Sequence, residues 1–535
     1  MSKINVIISL IACSLFLSAG SIALSRQGLY CDEVFQAPAS LAKSPKDAFG
    51  GFCISIGRQH FPLFNNSYIG AIKSTIYGLY LRIFKACFSV VSWRLLGVFF
   101  VSVAIFLFGW LLRKEWPPLG LVIFFVFVIL DPSVLLMTRH DWGSVALILA
   151  LRLLFIGVWL RGEIKGVPHV ANSFWLGVIA GVALYEKLSS VVLLVPLLMF
   201  MFFSGPRRKI PHLFACAAGY FLGCFPLIPV NLYSWVHEHK LFSLSAVAHS
   251  SIRLSWSDHA SYFWKYLCLG NGALVKAIIC GVQTGWRLYC VEGICILLIS
   301  SLIASLWVFA RNSSRWFKWA GISLLAYLAI AVAIRVLPQT TWVYHWILGT
   351  PFQYVAMALT FTGLYDKGGR RTVLTKILRW LFLIVLSVFF LYRIIVFSST
   401  ERSLLTGKTS PEWSPEYTQM AEFFAQHVES AIFIAADWGF IPQIICMANG
   451  NAPVFELYVD FKGMSDLKQI IDQVIPNKVY IIFLQRVPEW RQYENTAKIL
   501  SDMESLEGWQ EAELDSELRG LKLIRIRKFL KKEKV

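Results

Sequence analysis

The chain has 535 residues, of which 57% are apolar and only 15% are charged. A typical soluble domain is about half apolar and about a quarter charged, so this chain has more apolar surface than a water-soluble globule buries. Disordered chains contain few apolar residues, so this composition excludes that class too. Its 35 glycines and 20 prolines follow no period, which excludes a collagen-like fibre. Runs of about 20 apolar residues recur and predict a polytopic α-helical membrane protein.

The charged residues are unevenly distributed along the chain. Residues 401–535 hold 16 Lys and Arg against 20 Asp and Glu, whereas residues 1–400 hold 34 against 12. Most basic residues of the first part stand in short loops between apolar runs, where they set the orientation in the membrane. The net charge of +18 is therefore not the footprint of a nucleic-acid-binding protein.

Eleven membrane spans are predicted, with the N-terminus inside and the C-terminus outside. The proposed inner loops carry fourteen basic residues, whereas the three short outer turns carry only Arg139 and Lys187. Residues 172–203 also fit one long helix, but the charge pattern favours a hairpin that turns near Glu186-Lys187. The predicted spans are 1–24 (an uncleaved first span), 95–112, 119–136, 143–160, 172–187, 188–203, 212–230, 288–310, 317–337, 346–364 and 377–397.

Two polar segments, 25–94 and 231–287, are expected on the outer side. Within the first, residues 68–90 space Lys73, Arg82 and Lys85 among apolar residues. This pattern is typical of a helix that lies in the membrane interface. An extra span at 68–90 is the alternative, but it would break the charge rule for every later loop.

Residues 400–535 change in character. Short apolar runs at 431–436, 454–457, 478–484 and 521–526 predict strands, and they alternate with helical patterns after Trp438-Gly439, at 464–474 and at 491–507. We expect a small extracytoplasmic α/β domain at 400–535 that follows a transmembrane domain at 1–399. It has no glycine-rich phosphate loop, so no chemistry is assigned to it.

Three acidic residues are candidates for catalysis. Asp32 and Glu33 follow the first span and are flanked by apolar and aromatic side chains, a setting in which a carboxylate can serve as a general base. Asp141 lies in the outer turn between two spans. It also fits a helix N-cap, but it is predicted on the same membrane face as Asp32 and Glu33.

Several cations and polar residues of the outer segments are candidates for substrate binding. Lys187 lies amid apolar residues, where charges are costly and often functional, although a snorkelling pair with Glu186 is the alternative. Arg152 falls within a span and is expected to pair inside the bundle. His237-Glu238-His239 lacks the spacing of a metal site. The remaining candidates are Arg58, His60, Arg139, Tyr344 and His345.

The order of the candidate residues along the chain resembles the order of motifs in the GT-C glycosyltransferases, and specifically in family 39, the protein O-mannosyltransferases and ArnT-like aminoarabinose transferases. The resemblance covers about residues 4–365. The matching segments are Asp32-Glu33 (the acidic pair), residues 60–63 (the basic-Pro-Pro-Leu segment, with His for Lys and one Pro missing), residues 92–96 (the Arg-Leu-Pro stretch without its Pro), residues 131–141, residues 184–189 (the Leu-x-x-Lys turn), and His345 with Pro351.

The resemblance implies a GT-C-like fold and transfer of a sugar from a polyprenyl-phosphate-linked donor to a lipid, glycan or protein acceptor, with inversion. Asp32 would be the base, and Glu33 and Asp141 would assist it at the acceptor. No cofactor is certain and no metal site is indicated. We expect the bacterial inner membrane. The residues that would bind the donor phosphate or substrate are Arg58, His60, Arg139, Lys187, Tyr344 and His345.

Two rival functions remain open. A secondary transporter would place ionisable residues near the middle of the membrane and show paired halves, and Arg152 is the one feature that favours it. A non-catalytic assembly or sensor protein would work through the outer domain. The acids cluster in outer segments and no half-repeat is visible, which favours the enzyme.

Overall fold

The structure, a computed structural model, describes most of the chain. Arg58 is the one predicted site residue that lies outside the described residues. The described residues are 2–41, 52–57, 59–165, 169–203, 209–244, 256–269, 272–282, 285–310, 314–336, 343–366, 373–457, 461, 463–474, 479–487, 496–514, 518 and 520–532.

Helices dominate the first 400 residues, and strands are concentrated near the C-terminus. The helices are α1 (Ser2–Ser21), α2 (Cys31–Val34), α3 (Pro38–Leu41), α4 (Ile72–Phe84), α5 (Val90–Leu112), α6 (Pro118–Ile129), α7 (Pro132–His140), α8 (Ala146–Lys165), α9 (Val170–Glu186), α10 (Leu194–Phe203), α11 (Lys209–Gly223), α12 (Leu227–Glu238), α13 (Trp256–Leu269), α14 (Ala273–Cys280), α15 (Trp286–Ala310), α16 (Arg315–Val336), α17 (Val343–Trp346), α18 (Phe352–Tyr365), α19 (Val373–Leu405), α20 (Pro415–Gln426), α21 (Ile441–Met447), α22 (Met464–Val474) and α23 (Thr496–Glu504). The strands are β1 (Phe52–Ile56), β2 (Gln59–Asn66), β3 (Ile69–Gly70), β4 (Ala431–Ala435), β5 (Val454–Glu456), β6 (Tyr480–Arg486), β7 (Trp509–Ala512) and β8 (Ile524–Lys531).

The chain forms two compact units. The first comprises Met1–Leu24, Ser67–Gly70 and Arg94–Lys408, and the second comprises Ser25–Asn66, Ala71–Trp93 and Thr409–Val535. The second unit therefore joins the polar segment after α1 to the C-terminal residues.

The first unit contains the membrane-spanning helices. Each of the eleven predicted spans overlaps a helix, and eight of them coincide with a described helix or bent helix pair that is long and apolar enough to cross a membrane. Among the described residues, six helical segments are long and apolar enough to cross a membrane, and up to nine if each of three sharply bent helix pairs counts as one span. The protein is therefore an integral membrane protein. The six segments are Lys3–Ser21, Val90–Leu112, Cys290–Ala310, Arg315–Arg335, Tyr344–Tyr365 and Val373–Leu405.

Two of the predicted spans are bent instead of straight. The span predicted at 119–136 is divided into α6 and α7, whose axes differ by 59°. The span predicted at 212–230 is divided into α11 and α12, with a bend of 67°. A proline stands at each break, Pro132 and Pro226. Proline has no N–H to continue the helical hydrogen bonds and clashes with the preceding turn, so the helix stops and begins again.

Helices α9 and α11 pack closely through glycines. Gly177 and Gly181 lie on α9, and Gly219 and Gly223 lie on α11. A Cβ atom at any of the four positions would collide with a backbone carbonyl oxygen of the facing helix. Small residues spaced by four let two membrane helices approach until their backbones touch, and packing replaces the hydrophobic effect as the stabilising force.

Arg152 of α8 has its partners on the main chain. Its guanidinium is fully buried and donates hydrogen bonds to the carbonyl oxygens of Ile347 and Thr350, the latter at 2.7 Å. Ile347 begins the short 3₁₀ turn that follows α17, and Thr350 caps the end of that turn. Arg152 is thus paired inside the bundle, as expected, and it fixes the segment that leads into α18.

A buried ionic cluster joins four helices of the first unit. Arg393 of α19 lies 2.9 Å from a carboxylate oxygen of Glu292 on α15 and 3.5 Å from one of Asp131. Tyr354 of α18 donates to Asp131 at 2.6 Å, and Tyr392 donates to Glu292 at 2.9 Å. Asp131 also caps α7 by accepting from two backbone N–H groups. The cluster therefore sets where α7 begins.

The C-terminal part of the second unit is a three-layer α/β domain. Its five strands have the order β5-β4-β6-β8-β7; β4 is parallel to β5 and β6, and β8 is antiparallel to β6 and β7. Helices α20 and α21 pack on one face of the sheet, and α22 and α23 pack on the other. All five residues of β4 are buried, as expected for a strand covered on both faces. Strand β7 and helix α20 were not anticipated from the sequence.

The N-terminal part of the second unit contains a hairpin and an amphipathic helix. Strands β1 and β2 pair antiparallel. Helix α4 has 13 residues, too few to span a bilayer. It buries Lys73 and Tyr77 on one side and exposes a row of apolar residues on the other, including Ile83 and Phe84. An apolar exposed face on a short helix is typical of a helix in the membrane interface, as predicted.

Candidate active site

The acidic pair lies in the second unit, in the first turn of α2. Asp32 is half-buried, and Glu33 is fully buried. The indole N–H of Trp93 donates to the backbone carbonyl oxygen of Glu33 at 3.1 Å. The ammonium of Lys73 lies 3.8 Å from the centre of the Trp93 ring. Lys73 is 1% exposed, so an enclosed positive charge stands beside the tryptophan that holds the acidic turn.

The residues before Asp32 stay uncharged at neutral pH. Burial, reinforced by the neighbouring Asp32 carboxylate, raises the pKa of the Tyr30 hydroxyl well above its ordinary value. Burial likewise raises the pKa of the Cys31 thiol. Because neither group ionises near neutral pH, neither adds a negative charge to this turn.

Lys187 lies in the first unit, where α9 ends. Its backbone is extended and forms a bridge with Ile69. Its ammonium donates to the carbonyl oxygen of Gly143 and lies 4.3 Å from the centre of the Tyr344 ring. The Trp142 ring meets the same tyrosine edge to face, with centroids 5.7 Å apart. The structure thus brings Lys187, the turn after α7 and Tyr344 together, although they are far apart in sequence.

Asp141 has the geometry of a helix cap. Its backbone is left-handed, with φ of 46°, and ends α7. Its Oδ1 accepts a hydrogen bond of 2.8 Å from the backbone N–H of Ala146, the first residue of α8. The side chain is 2% exposed. These contacts fix the turn that presents the Gly143 carbonyl to Lys187.

Two other predicted residues, Arg139 and His345, also lie in the first unit. Arg139 is fully buried and donates to the carbonyl oxygens of Ile22 (2.6 Å) and Ala23 (3.1 Å), so it fixes the chain that leaves α1. His345 is buried, and its ring centroid lies 4.5 Å from that of Tyr344.

His60 belongs to the hairpin of the second unit. A hydrogen bond of 2.8 Å joins its ring Nδ1 to the Ser55 hydroxyl, and the guanidinium of Arg82 donates to its backbone carbonyl oxygen. In the part of the chain that the structure describes, no three His, Cys, Asp or Glu residues are grouped so that they could hold a metal ion.

Sequence reasoning missed the enclosed Lys73 and the buried partners of Arg393. The sequence pattern places Lys73 among the apolar residues of an interfacial helix, and its spacing gives no sign of Trp93 as a neighbour. For the partners of Arg393 the sequence does contain a signal, because Glu292 and Arg393 are charges of opposite sign inside predicted spans, and such residues normally pair.

No family model matches the sequence, and no curated protein does. Among solved structures, the chain is similar to ArnT from Cupriavidus metallidurans bound to undecaprenyl phosphate, with a TM-score of 0.56, 11% sequence identity and 97% of each chain covered. The chain has a GT-C fold of the ArnT type. The GT-C fold predicted from the sequence motifs is therefore confirmed. A further match with 11% identity and a TM-score of 0.47 is the archaeal oligosaccharyltransferase AglB from Archaeoglobus fulgidus in complex with an inhibitory peptide and a dolichol-phosphate, with 88% of this chain and 69% of that chain covered.

Proposed function

We propose that this protein transfers a sugar from a polyprenyl-phosphate-linked donor to a lipid, glycan or protein acceptor. The observation that carries the proposal is the GT-C fold, which is shared over 97% of the chain with an ArnT bound to undecaprenyl phosphate. We further propose that the reaction takes place on the outer side of a bacterial inner membrane, with the N-terminus inside.

The proposed reaction is a single inverting displacement. Asp32 accepts the proton of the acceptor group as that group forms a bond to the anomeric carbon. The bond between the anomeric carbon and the phosphate oxygen breaks, and the electron pair leaves with the lipid phosphate. A sugar at this stage has oxocarbenium character, as in glycoside hydrolysis. Asp32 suits the role because it is half-buried, whereas Glu33 is fully enclosed and is proposed to position the turn.

The leaving phosphate requires positive charge and hydrogen-bond donors. Lys187 is the residue we propose for this role, since its ammonium is held by the Gly143 carbonyl and the Tyr344 ring and is thereby pre-oriented. Tyr344 and His345 are proposed to complete its surroundings, and Asp141 to orient them through the turn that it caps. Arg58, His60 and Arg139 remain proposed substrate contacts.

The transporter alternative loses its main support. Arg152 was the feature that favoured transport, and its guanidinium is bound to two backbone carbonyls of the short turn that precedes α18. A buried arginine with such partners is accounted for by the fold.

Sugar transfer by the purified protein in lipid nanodiscs tests the proposal. We expect Asp32→Asn to lower kcat by about 10²–10⁴-fold, the contribution of general-base catalysis, and Glu33→Gln to have a milder effect. Glu422→Gln, which neutralises an exposed carboxylate of α20, is the matched control and should keep wild-type turnover. Wild-type kcat in Asp32→Asn would remove the catalytic assignment, and absence of transfer from every polyprenyl-phosphate sugar would refute the proposed function.

A further inference from the structure

The turn that carries Asp32 is anchored by the C-terminal α/β domain. The backbone N–H of Gly28 donates to the carbonyl oxygen of Trp413 at 2.7 Å. The next N–H, that of Leu29, donates to the hydroxyl oxygen of Thr418 at 2.9 Å. The amide of Gln443 donates to the Leu29 carbonyl at 3.2 Å. Two consecutive residues are thus held through their main chain, which fixes their position without regard to their side chains.

Side chains continue the same anchor toward Asp32. The Tyr30 ring lies against Trp413 with centroids 4.1 Å apart, and Trp438 meets it from another side at 6.0 Å. Trp413 is fully buried. Gly28 has no room for a side chain, because a Cβ atom there would collide with the carbonyl oxygen of Ser414. The chain therefore reaches Asp32 along a closely fitted path.

The side-chain amide of Gln443 donates hydrogen bonds to two main-chain segments of this anchor. It donates to the Leu29 carbonyl and also, at 2.7 Å, to the Gly439 carbonyl that precedes α21. The side chain is 1% exposed, so its bonds are shielded from water. A buried amide with both hydrogens bound holds two main-chain segments in one geometry.

We infer that the C-terminal α/β domain is a positioning element for the reaction, and that Trp413, Thr418 and Gln443 are positioning residues that set the place of Asp32. The inference rests on the proposed function of Asp32. It gives a role to a domain for which the sequence shows no chemistry. Because a misplacement of about 1 Å costs a reaction about 10²-fold, a loosened anchor should lower kcat even though no anchoring residue touches substrate.

Cys31 provides a readout of the anchor that is independent of catalysis. Its thiol is free and 2% exposed, and it directly precedes Asp32 in sequence. A thiol in this setting reacts with N-ethylmaleimide only when the turn opens. The rate of Cys31 alkylation, measured by peptide mass spectrometry on the full-length protein in nanodiscs, therefore reports how often the turn leaves the domain.

Two matched pairs of variants perturb the anchor. Thr418→Val removes the acceptor of the Leu29 N–H at constant shape, and Thr418→Ser keeps that acceptor. Gly28→Ala forces a collision with Ser414, whereas Gly520→Ala adds the same methyl group where no atom lies within 4 Å. Losing the partly buried hydrogen bond between Leu29 and Thr418 should raise the opening equilibrium, and hence the alkylation rate, by about tenfold. We expect this rise in Thr418→Val and a rise of at least this size in Gly28→Ala, with wild-type rates in Thr418→Ser and Gly520→Ala.

Sugar-transfer kinetics complete the test. We expect Thr418→Val and Gly28→Ala to lower kcat with little change in the donor KM. We expect Thr418→Ser to keep the wild-type kcat. Wild-type Cys31 alkylation in both perturbed variants, or faster alkylation with unchanged kcat, would overturn the inference. If Asp32→Asn keeps full turnover while Thr418→Val loses it, the role of Asp32 fails and the anchor positions another group. If Asp32→Asn is inactive while both anchor variants behave as wild type, only the positioning inference fails.

Discussion

Replacing Arg393 by leucine should strongly destabilise the first unit. The fully buried guanidinium contacts Glu292 at 2.9 Å, Asp131 at 3.5 Å and the Tyr354 hydroxyl at 2.7 Å. Its loss leaves two enclosed carboxylates without their cation. Removing one partner of a buried ion pair costs about 3–5 kcal/mol, so we expect the free energy of unfolding to fall by about that amount.

The remaining hydrogen bonds predict which carboxylate causes the loss. Asp131 keeps the Tyr354 hydroxyl and the backbone N–H groups of α7, whereas Glu292 keeps the Tyr392 hydroxyl. Adding Glu292→Gln to Arg393→Leu should therefore recover part of the lost stability. Adding Asp131→Asn should recover less, because that change also weakens the α7 cap.

Unfolding in mixed micelles with increasing SDS, followed by tryptophan fluorescence, measures these differences. Arg402→Leu is the control, since it removes an exposed cation from the same helix. A loss below about 1 kcal/mol in Arg393→Leu, typical of exposed pairs, would refute the reasoning. A Glu292→Gln double variant no more stable than Arg393→Leu alone would refute the assignment to Glu292.

Three further predictions concern the site, the helix packing and pH. Lys187→Ala should lower kcat/KM for the donor by a factor equivalent to about 1.5–3 kcal/mol, the range for hydrogen bonds to charged groups, with little change in thermal stability; full activity would make Lys187 a structural residue. Gly181→Leu should separate α9 from α11 and lower the stability in SDS titrations by at least about 1–3 kcal/mol, and an unchanged midpoint would contradict the close packing. Burial raises the pKa of Tyr417 to about 12 from an ordinary 10.0, so between these pH values the folded chain binds more protons than the unfolded chain. The stability that Tyr417 contributes is therefore complete below about pH 10 and is lost as the pH rises toward 12. Tyr417→Phe should flatten this decline of stability with pH.

The sequence predicts the helices better than it predicts their partners. Apolar runs of spanning length are a local property, so each of the eleven predicted spans overlaps a helix. Pro132 and Pro226 account for the bends in two spans that were predicted to be straight. Arg152 shows the limit of predicting contacts from the sequence. Its charge inside a span indicated a buried partner, but the partners are backbone carbonyls, which every residue has and which no sequence pattern marks.

In the candidate site, too, the sequence indicates the residues but not their contacts. The acidic pair and Asp141 stand out because residues 1–400 hold only 12 acids, and Lys187 stands out because it lies amid apolar residues. That Asp141 caps α8 was one of two alternatives the residues left open, and the left-handed backbone that allows it became visible only in the structure. The contact of Lys187 with Tyr344 depends on the packing of distant segments, which the sequence of either does not specify.

The hydrogen bond between Leu29 and Thr418 joins residues 389 positions apart, and this distance has a consequence for biosynthesis. At about 5–20 residues per second, a ribosome needs about 20–80 s to make the intervening chain. The Asp32 turn leaves the ribosome early and lacks the hydrogen bonds to the C-terminal α/β domain until that domain has been made and folded. A chain that stops before residue 409 would keep its membrane helices and lose that anchor, so unfinished copies in the membrane should be inactive.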